Sequence, residues 1–164
     1  MARPFKRLGR GGVRLTLSSE EVGLLRTLPE QLRSVLEEGD ADPAGDRLFP
    51  PAYDDLAEAE AAAEYQRLMH DDLLAAKLAA IDTVTASLDR GASRGGRWSV
   101  ELTEEESLAW LGVLNDVRLT LGVRLDVTDD LDGEIDPADP RAPGLRLLYY
   151  LGWLEEHLLA ELKP

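Results

Sequence analysis

Four polar residues, Asn115, Asp116, Arg118 and Arg124, lie in a segment otherwise made mainly of leucine and valine, NDVRLTLGVRLDV. Their amide, carboxylate and guanidinium groups could bind a small polar molecule, but no evident nucleophile accompanies them. At 100° per residue on a helix, Asn115 lies inside an apolar stripe and Arg118 at its border, so we expect both to be at least partly buried. Buried polar groups need partners. The pattern therefore predicts a buried polar network that fixes helix packing, with the floor of a small polar pocket as the alternative.

A second set of side chains able to bind a ligand follows near the C-terminus. Arg146, Tyr149, Trp153 and His157 recur at spacings of three and four, on the opposite side of the expected helix from a leucine stripe. Aromatic and arginine side chains are enriched at protein interfaces. Packing within the chain, under the acidic loop or against the first helix, is the favoured interpretation. A surface for self-association or for a protein partner is the alternative, and these four residues are its candidate binding residues.

Metal binding has one weak sequence signal, in an acidic loop expected over residues 126–144. Residues 128–139, TDDLDGEIDPAD, match a calcium-binding EF-hand loop at the third, fifth, sixth, eighth and ninth positions. Thr128 replaces the first carboxylate ligand and Asp139 replaces the bidentate glutamate. Pro137 and Pro140 oppose the helix that should leave such a loop. We expect a solvated acidic loop and no metal site.

Other catalytic and cofactor patterns are missing from the sequence. The two histidines, His70 and His157, form neither HExxH nor another two-histidine helical spacing. His70 is interpreted as a half-buried histidine. The chain has no GxSxG, no GxxxxGK[ST] and no GxGxxG after a strand. We therefore expect no catalytic residues, no metal and no cofactor, although the many acids could supply a carboxylate pair for acid-base chemistry.

Charge and composition restrict the partners. The 164 residues carry no cysteine and a net charge of −14. Residues 1–17 hold five Lys or Arg and no acid, which leaves residues 18–164 at −19. Nucleic-acid affinity comes largely from phosphate neutralisation, so nucleic acid is disfavoured as a partner unless the basic N-terminal arm acts alone. No run of about 18 apolar residues predicts a membrane span, and the composition suits the cytoplasm.

Two short strands, each followed by a helix, must position these residues. Val13 to Leu17 and Trp98 to Leu102 alternate apolar and polar residues, as half-buried strands do. Each runs into a capping-box sequence, beginning at Ser18 and at Thr103 respectively. Phe5 to Leu8 could add a third strand through a glycine-rich hairpin.

The remaining sequence predicts helices. One begins after Ser18 and should end or kink at Pro29, and a further piece ends at Gly39. A long alanine-rich pattern follows the loop over residues 39–51 and extends from Asp54 to Leu88. Because an unbroken helix of that length exceeds the diameter expected for such a domain, we expect a break near His70.

Residues 89–97 predict a polar, mobile connector. A central helix after Thr103 and a last helix from Leu145 to Leu162 complete the chain. The expected architecture is a single mainly α domain over residues 1–164. It is a helical bundle with a small two- or three-stranded antiparallel sheet formed by the N-terminal segment and residues around 98–102.

Across nearly its whole length the chain resembles an actinobacterial family, domain of unknown function twenty-seventeen. The residues that carry the resemblance are Glu64-Tyr65-Gln66-Arg67-Leu68, Asp71-Asp72-Leu73, Lys77-Leu78, Ala109-Trp110-Leu111, Leu114-Asn115-Asp116-Val117-Arg118-Leu119, Leu121-Gly122-Val123-Arg124-Leu125 and Tyr150-Leu151-Gly152-Trp153-Leu154. The resemblance implies no activity, cofactor or catalytic residue. It implies a gene neighbourhood, because members are often encoded beside an adaptor of the Clp protease.

Together these features predict a non-catalytic interaction or regulatory protein of the cytoplasm, with a link to regulated proteolysis as one form of that function. Its expected partners are proteins, including a second copy of the chain. A carboxylate-based enzyme, with or without a bound cation, is the first alternative. A transcriptional regulator that uses the basic N-terminal arm is the second.

Overall fold

The computed structural model describes residues 3–39, 42–49, 59–127 and 134–163. It is mainly helical with a small antiparallel sheet, which confirms the predicted class. In chain order the elements are β1 (Phe5–Arg7), β2 (Val13–Ser18), α1 (Ser19–Arg26), α2 (Leu28–Glu38), α3 (Gly45–Leu48), α4 (Ala59–Arg90), β3 (Ala92–Arg94), β4 (Arg97–Leu102), α5 (Glu104–Arg124) and α6 (Ala142–Leu162).

The sheet pairs the N-terminal hairpin with a second hairpin in the order β1-β2-β4-β3, with every neighbouring pair antiparallel. Alternate side chains of β2 and β4, such as Leu15 and Val100, are buried, as the period-2 pattern predicts. Residues 89–97, expected to be a mobile connector, instead complete α4, form β3 and turn into β4. Gly95 and Gly96 both have positive φ, which allows this tight turn. All of β3 is exposed, so its sequence carries no apolar signal.

Both predicted capping boxes are confirmed. The Glu21 N–H donates to Ser18 Oγ at 3.1 Å, and the Ser18 N–H donates to Glu21 Oε1 at 3.0 Å. Thr103 and Glu106 make the same pair of bonds at the start of α5. Each box satisfies amide groups that a helix start leaves without intrahelical partners, which is why β2 and β4 pass directly into helices.

Proline and glycine set the limits of α1 and α2 as expected. The two helices are separated at Thr27, and Pro29 lies in the first turn of α2, where its missing N–H costs no helical hydrogen bond. Gly39 ends α2 with a φ of 57°. The loop predicted over residues 39–51 contains the short helix α3 within its described part.

The predicted break near His70 is wrong, because α4 runs without interruption for 32 residues. His and Asp lower helix stability by only a few tenths of a kcal/mol relative to better helix formers, which is too little to end a helix. The helix can be longer than the expected domain diameter because α4 is not buried along its whole length. Tyr65 and Leu68 keep 59% and 61% of their surface exposed.

Helix α5 is central, as its mostly apolar circumference predicts. It contacts α2, α3, α4, α6 and β4, and buries Trp110, Leu114 and Val117. The Trp110 indole N–H donates to Ser87 Oγ of α4 at 2.8 Å, so this buried side chain has a polar partner. Within the described residues, no helix is both long and apolar enough to cross a membrane.

Candidate functional sites on α4, α5 and α6

Asp116 forms a buried ion pair with Lys77 of α4. Lys77 Nζ donates to Asp116 Oδ1 at 2.9 Å and to Oδ2 at 2.8 Å, and the side chains are 18% and 8% exposed. Burial raises the pKa of Asp116, and the hydrogen bonds and charge of Lys77 oppose that shift. The pair ties α4 to α5. Sequence reasoning missed Lys77, although a lysine beside Leu74, Leu78 and Ile81 on an apolar helix face was an available signal.

Arg118 joins α5 to α6. Its Nη1 donates to Glu155 Oε2 at 2.8 Å. The guanidinium lies over Gly152, where an added side-chain carbon would come within 3.3 Å of Arg118 Cζ. Arg118 Nε and Glu155 Oε1 are buried and make no hydrogen bond within the described part of the chain. The missing side chain at Gly152 therefore makes room for the ion pair between these helices.

Arg124 contacts a third neighbour, the segment before α3. Its Nη2 donates to Asp42 Oδ2 at 3.1 Å, while Asp42 Oδ1 accepts the Ala44 N–H at 2.9 Å. Asp42 is 7% exposed, whereas the side chain of Arg124 is nearly half exposed. Three of the four polar residues singled out on α5 thus make ion pairs with three different elements, instead of one shared network.

The expected burial of Asn115 is wrong. Asn115 is exposed, on the same side of α5 as the exposed Leu108 and Gly112. The stripe in which we placed it looked apolar because of Leu108, and that leucine is itself 56% exposed. Periodicity showed which residues share a face but could not show that this face is the one without a neighbour.

The structure offers little room for the alternative of a polar pocket beside these residues. A cavity next to Arg124 and Thr120, lined otherwise mainly by leucine and valine, has a volume of about 30 Å³. That volume suits a single water molecule. The polar atoms of α5 are therefore positioned to join helices and not to enclose a small molecule.

A larger cleft of about 570 Å³ opens between the β1–β2 turn and the start of α5. Four of the five charged side chains that line it take part in ion pairs. Arg10 and Arg14 both bind the Glu101 carboxylate, and Arg90 Nη1 lies 2.8 Å from Glu106 Oε2. At its other end the N-terminal arm contacts α6, where Arg7 Nε donates to the Glu161 carbonyl at 2.8 Å. Much of the positive charge of the arm thus faces acceptors of the same chain.

The aromatic residues on α6 divide into a packed part and an exposed part. The Tyr150 hydroxyl donates to Glu21 Oε2 at 2.5 Å, which ties α6 to the capping box of α1. The half-buried Trp153 stacks on Tyr150, with ring centres 6.0 Å apart, and contacts His157 at 4.6 Å. His157 Nδ1 donates to the Trp153 carbonyl at 2.9 Å.

The electrostatics of the Tyr150–Glu21 contact favour an ionised carboxylate and a neutral phenol. Burial acts to raise the pKa of Glu21, but hydrogen bonds from Tyr150 and Ser18 outweigh it and the pKa lies below its usual value. Burial and the Glu21 carboxylate raise the pKa of Tyr150. Of the four predicted binding residues on α6, Arg146 and Tyr149 are exposed, whereas Trp153 and His157 are half-buried and contact each other.

The most exposed large apolar residues include a set on α4 that sequence reasoning did not single out. Tyr65, Leu68, Met69 and Leu73 are 59%, 61%, 49% and 39% exposed. Their spacing of i, i+3, i+4 and i+8 places them on one helix face. We call these four residues the α4 stripe. The sequence contained a sign of this stripe, because the stripe forms a second apolar face on α4. The first apolar face of the same helix contains Ile81 and Leu88.

The described residues contain no group of three or more His, Asp or Glu side chains placed to hold a metal ion. His70 is half-buried, as interpreted, with its ring 4.2 Å from that of Phe49. The first six positions of the EF-hand-like segment, residues 128–133, lie outside the described residues. Near its end, Asp139 binds the Arg141 side chain at 3.0 Å.

The fold and these contacts define a mainly helical protein whose interior ion pairs join its elements and whose longest helix exposes an apolar face. The chain belongs to the family described as domain of unknown function DUF2017, which it matches over residues 2–162. This confirms the family resemblance.

The chain is similar to proteins of Mycobacterium bovis and Mycobacterium tuberculosis named "Oxidative stress regulator AosR". It is 31% identical to each over 129 residues, which cover 72% of this chain and 57% of the relative. The match therefore spans little more than half the length of these relatives. No solved structure matches the chain.

Proposed function

We propose that this protein is a non-catalytic regulatory protein that acts by binding other proteins. The observation that carries the proposal is the α4 stripe, where four large apolar side chains face solvent on one side of a helix. A helix face of this kind is a common means of binding another protein helix. The exposed Arg146 and Tyr149 on α6, with the half-buried Trp153 and His157 beside them, are a second candidate contact surface.

The names of the mycobacterial relatives support the regulatory part of this proposal. Both are called oxidative stress regulators. The present 164 residues contain no cysteine, so thiol oxidation cannot be the signal within them. Protein contacts are the remaining route that the described surface supports. The cysteine-free composition also suits the cytoplasm, and a link to regulated proteolysis is the specific form suggested by the family resemblance.

The two alternative functions have less support from the described contacts. A carboxylate-based enzyme needs two acids close together, but the buried Asp42 and Asp116 are each bound by a separate cation, Arg124 and Lys77. A transcriptional regulator would need the N-terminal arm free for phosphate. Arg10 and Arg14 instead bind Glu101.

Site-specific photocrosslinking in the host cell tests the proposal. A photoreactive phenylalanine derivative replaces Leu68 on the α4 stripe or Tyr149 on α6, and Leu108 on α5 is the matched exposed control. We expect a discrete crosslinked protein from position 68, from position 149 or from both, and none from position 108. Identical products from all three positions, or none from the first two, would contradict a role in protein binding.

A pull-down with a Trp153→Ala variant separates the two candidate surfaces. If α6 contributes to binding, this variant captures fewer of the proteins that crosslink at position 149 and retains those that crosslink at position 68. An unchanged set of captured proteins would assign Trp153 to packing within the chain.

A further inference from the structure

We propose that the α4 stripe binds an amphipathic helix of a partner protein, and that this partner helix carries lysine or arginine beside its apolar face. This inference rests on the proposed function and deepens it by naming the chemistry of the partner. It is carried by two observations on α4, the position of the stripe relative to the core and the charges at its edges.

The stripe is a second apolar face of α4, separate from the face that builds the core. Leu74, Ile81 and Leu88 pack toward the sheet and α5. At 100° per residue, the centre of the stripe lies about 150° around the helix from that core face. The stripe spans residues 65–73, a length of about 12 Å. Its side chains therefore cannot reach the core face of their own helix.

Where the stripe begins, the described side chains of the helix are all exposed. All described side chains from 60 to 69 are exposed, including those that are not part of the stripe: Glu60, Ala61, Ala63, Glu64 and Arg67. The first half-buried side chain is that of His70. A partner helix can thus lie along α4 without displacing an element of the described core.

Acidic side chains lie along one edge of the stripe, and one of them lies within it. Glu60, Glu64, Asp71 and Asp72 are all exposed, and Arg67 is the one exposed base among the described side chains from 60 to 76. Asp72 lies between Leu68 and Leu73 on the helix surface. A helix with basic residues beside its apolar face complements this surface, because opposite charges at the rim of an interface steer association and disfavour wrong partners.

The same charges argue against the other occupants of such a face. Two copies of the chain would bring two acidic rims together, and each copy carries a net charge of −14. Nucleic acid and anionic lipid would meet the same repulsion. A partner with apolar and basic side chains satisfies both features of the surface.

A peptide-binding measurement tests the inference with the full chain. The probe is a synthetic helical peptide with leucines at i, i+3, i+4 and i+7 and lysines beside them. Its twin carries glutamate at each lysine position, and a third peptide has the first composition in scrambled order. We expect the lysine peptide to bind with an affinity that falls as salt is raised, and neither of the other two to bind comparably.

Matched variants locate the binding. We expect a Leu68→Gln, Met69→Gln variant to bind the lysine peptide about tenfold more weakly, which corresponds to about 1.4 kcal/mol. Leu108→Gln, on an equally exposed leucine of α5, should bind as the parent does. An Asp71→Lys, Asp72→Lys variant should lose preference for the lysine peptide over the glutamate twin. Circular dichroism checks that each variant keeps the parent helix content.

Three results would overturn the inference. One is equal affinity for the lysine, glutamate and scrambled peptides. Another is lysine-peptide binding that Leu68→Gln, Met69→Gln leaves unchanged. A third is self-association of the parent chain that the same variant abolishes, since the stripe would then bind a second copy. After the first result, a photocrosslink from position 68 to another protein would leave the regulatory function in place and remove only the basic character of the partner. After the second or third result the proposed occupant of the stripe fails as well, and the regulatory function then depends on whether the crosslinked product is another protein or a second copy of the chain.

Discussion

The two halves of α4 have opposite relations to the rest of the molecule, although both are helical and rich in apolar residues. From Leu74 onward the helix packs: Ile81, Val84 and Leu88 are buried, and Lys77 is held by Asp116. Before that point Tyr65, Leu68 and Met69 face solvent. An apolar helix face thus indicates a surface suited to contact. It does not show whether the contact is made within the same chain.

The largest expected effect separates the two halves directly. Ile81→Ala removes a fully buried side chain and leaves a cavity, so it should lower the free energy of unfolding by about 3 to 4 kcal/mol. Leu68→Ala removes an exposed side chain and should change it by less than about 0.5 kcal/mol. Urea unfolding of both variants provides the measurement. Equal losses would mean that Leu68 packs within the chain.

The next largest effect concerns the Lys77–Asp116 ion pair, which joins the packed part of α4 to α5. Asp116→Ala leaves Lys77 without its partner in a largely buried position, and we expect a loss of about 3 kcal/mol. The double variant Lys77→Met, Asp116→Leu should recover most of that loss, because it removes both charges together. Urea unfolding of the single and double variants measures the coupling. A double variant as unstable as Asp116→Ala would argue that packing, and not the uncompensated charge, causes the loss.

A smaller, pH-dependent effect on stability is expected where the C-terminal end of α4 contacts the start of α5. Burial acts to raise the pKa of Glu106, but hydrogen bonds from Arg90 and Thr103 outweigh it and hold the pKa below the ordinary value of 4.5. The ionised form therefore stabilises the fold above pH 4.5, and this contribution is lost as the pH falls through the lower folded pKa. Arg90 is about half exposed, so Arg90→Gln should cost less than about 1 kcal/mol at neutral pH.

Unfolding measured between neutral pH and pH 3 checks this sign. The difference between the Arg90→Gln variant and the parent should shrink as the pH drops below 4.5. Arg67→Gln, on the exposed half of α4, is the matched control and should leave the pH dependence unchanged. A constant difference across the whole range would mean that Arg90 stabilises the fold through its hydrogen bond to the Glu101 carbonyl alone.

The smallest expected effect concerns an exposed residue of α5 that lies beside a buried one. Asn115 is exposed beside the buried Asp116, so Asn115→Leu should change the free energy of unfolding by no more than about 0.5 kcal/mol. The sequence pattern alone placed Asn115 in a buried polar network. If urea unfolding shows that Asn115→Leu lowers the free energy of unfolding by several kcal/mol, Asn115 belongs to a buried polar network after all.

Local signals predicted much of the fold because their physical causes are local. The capping boxes at Ser18 and Thr103 depend on atoms within four residues of each other, and both form as expected. The alternation in β2 and β4 likewise needs only a strand with one buried face. Strand β3 escaped prediction because it is an exposed edge strand, and the length of α4 was misjudged because part of the helix lies outside the core.

The candidate site was less predictable. Asp116 and Arg118 were identified from their unusual types in an apolar segment, but their partners Lys77 and Glu155 lie 39 and 37 residues away. The four candidate residues on α6 were found by spacing, yet only the structure shows that Trp153 and His157 are half-buried and in contact while Arg146 and Tyr149 are exposed. The α4 stripe could have been found by the same periodicity and was overlooked because the helix was expected to break there.

The amino-acid sequence was enough to predict the helical class, the capped strand-to-helix joints, the acidic charge and the family. These follow from short-range hydrogen bonding, hydrophobic periodicity and composition. The tertiary contacts of the described residues show which apolar faces are covered, which cation neutralises each buried carboxylate and which apolar face stays exposed. Burial and pairing depend on elements far apart in the chain, so no local pattern can specify them.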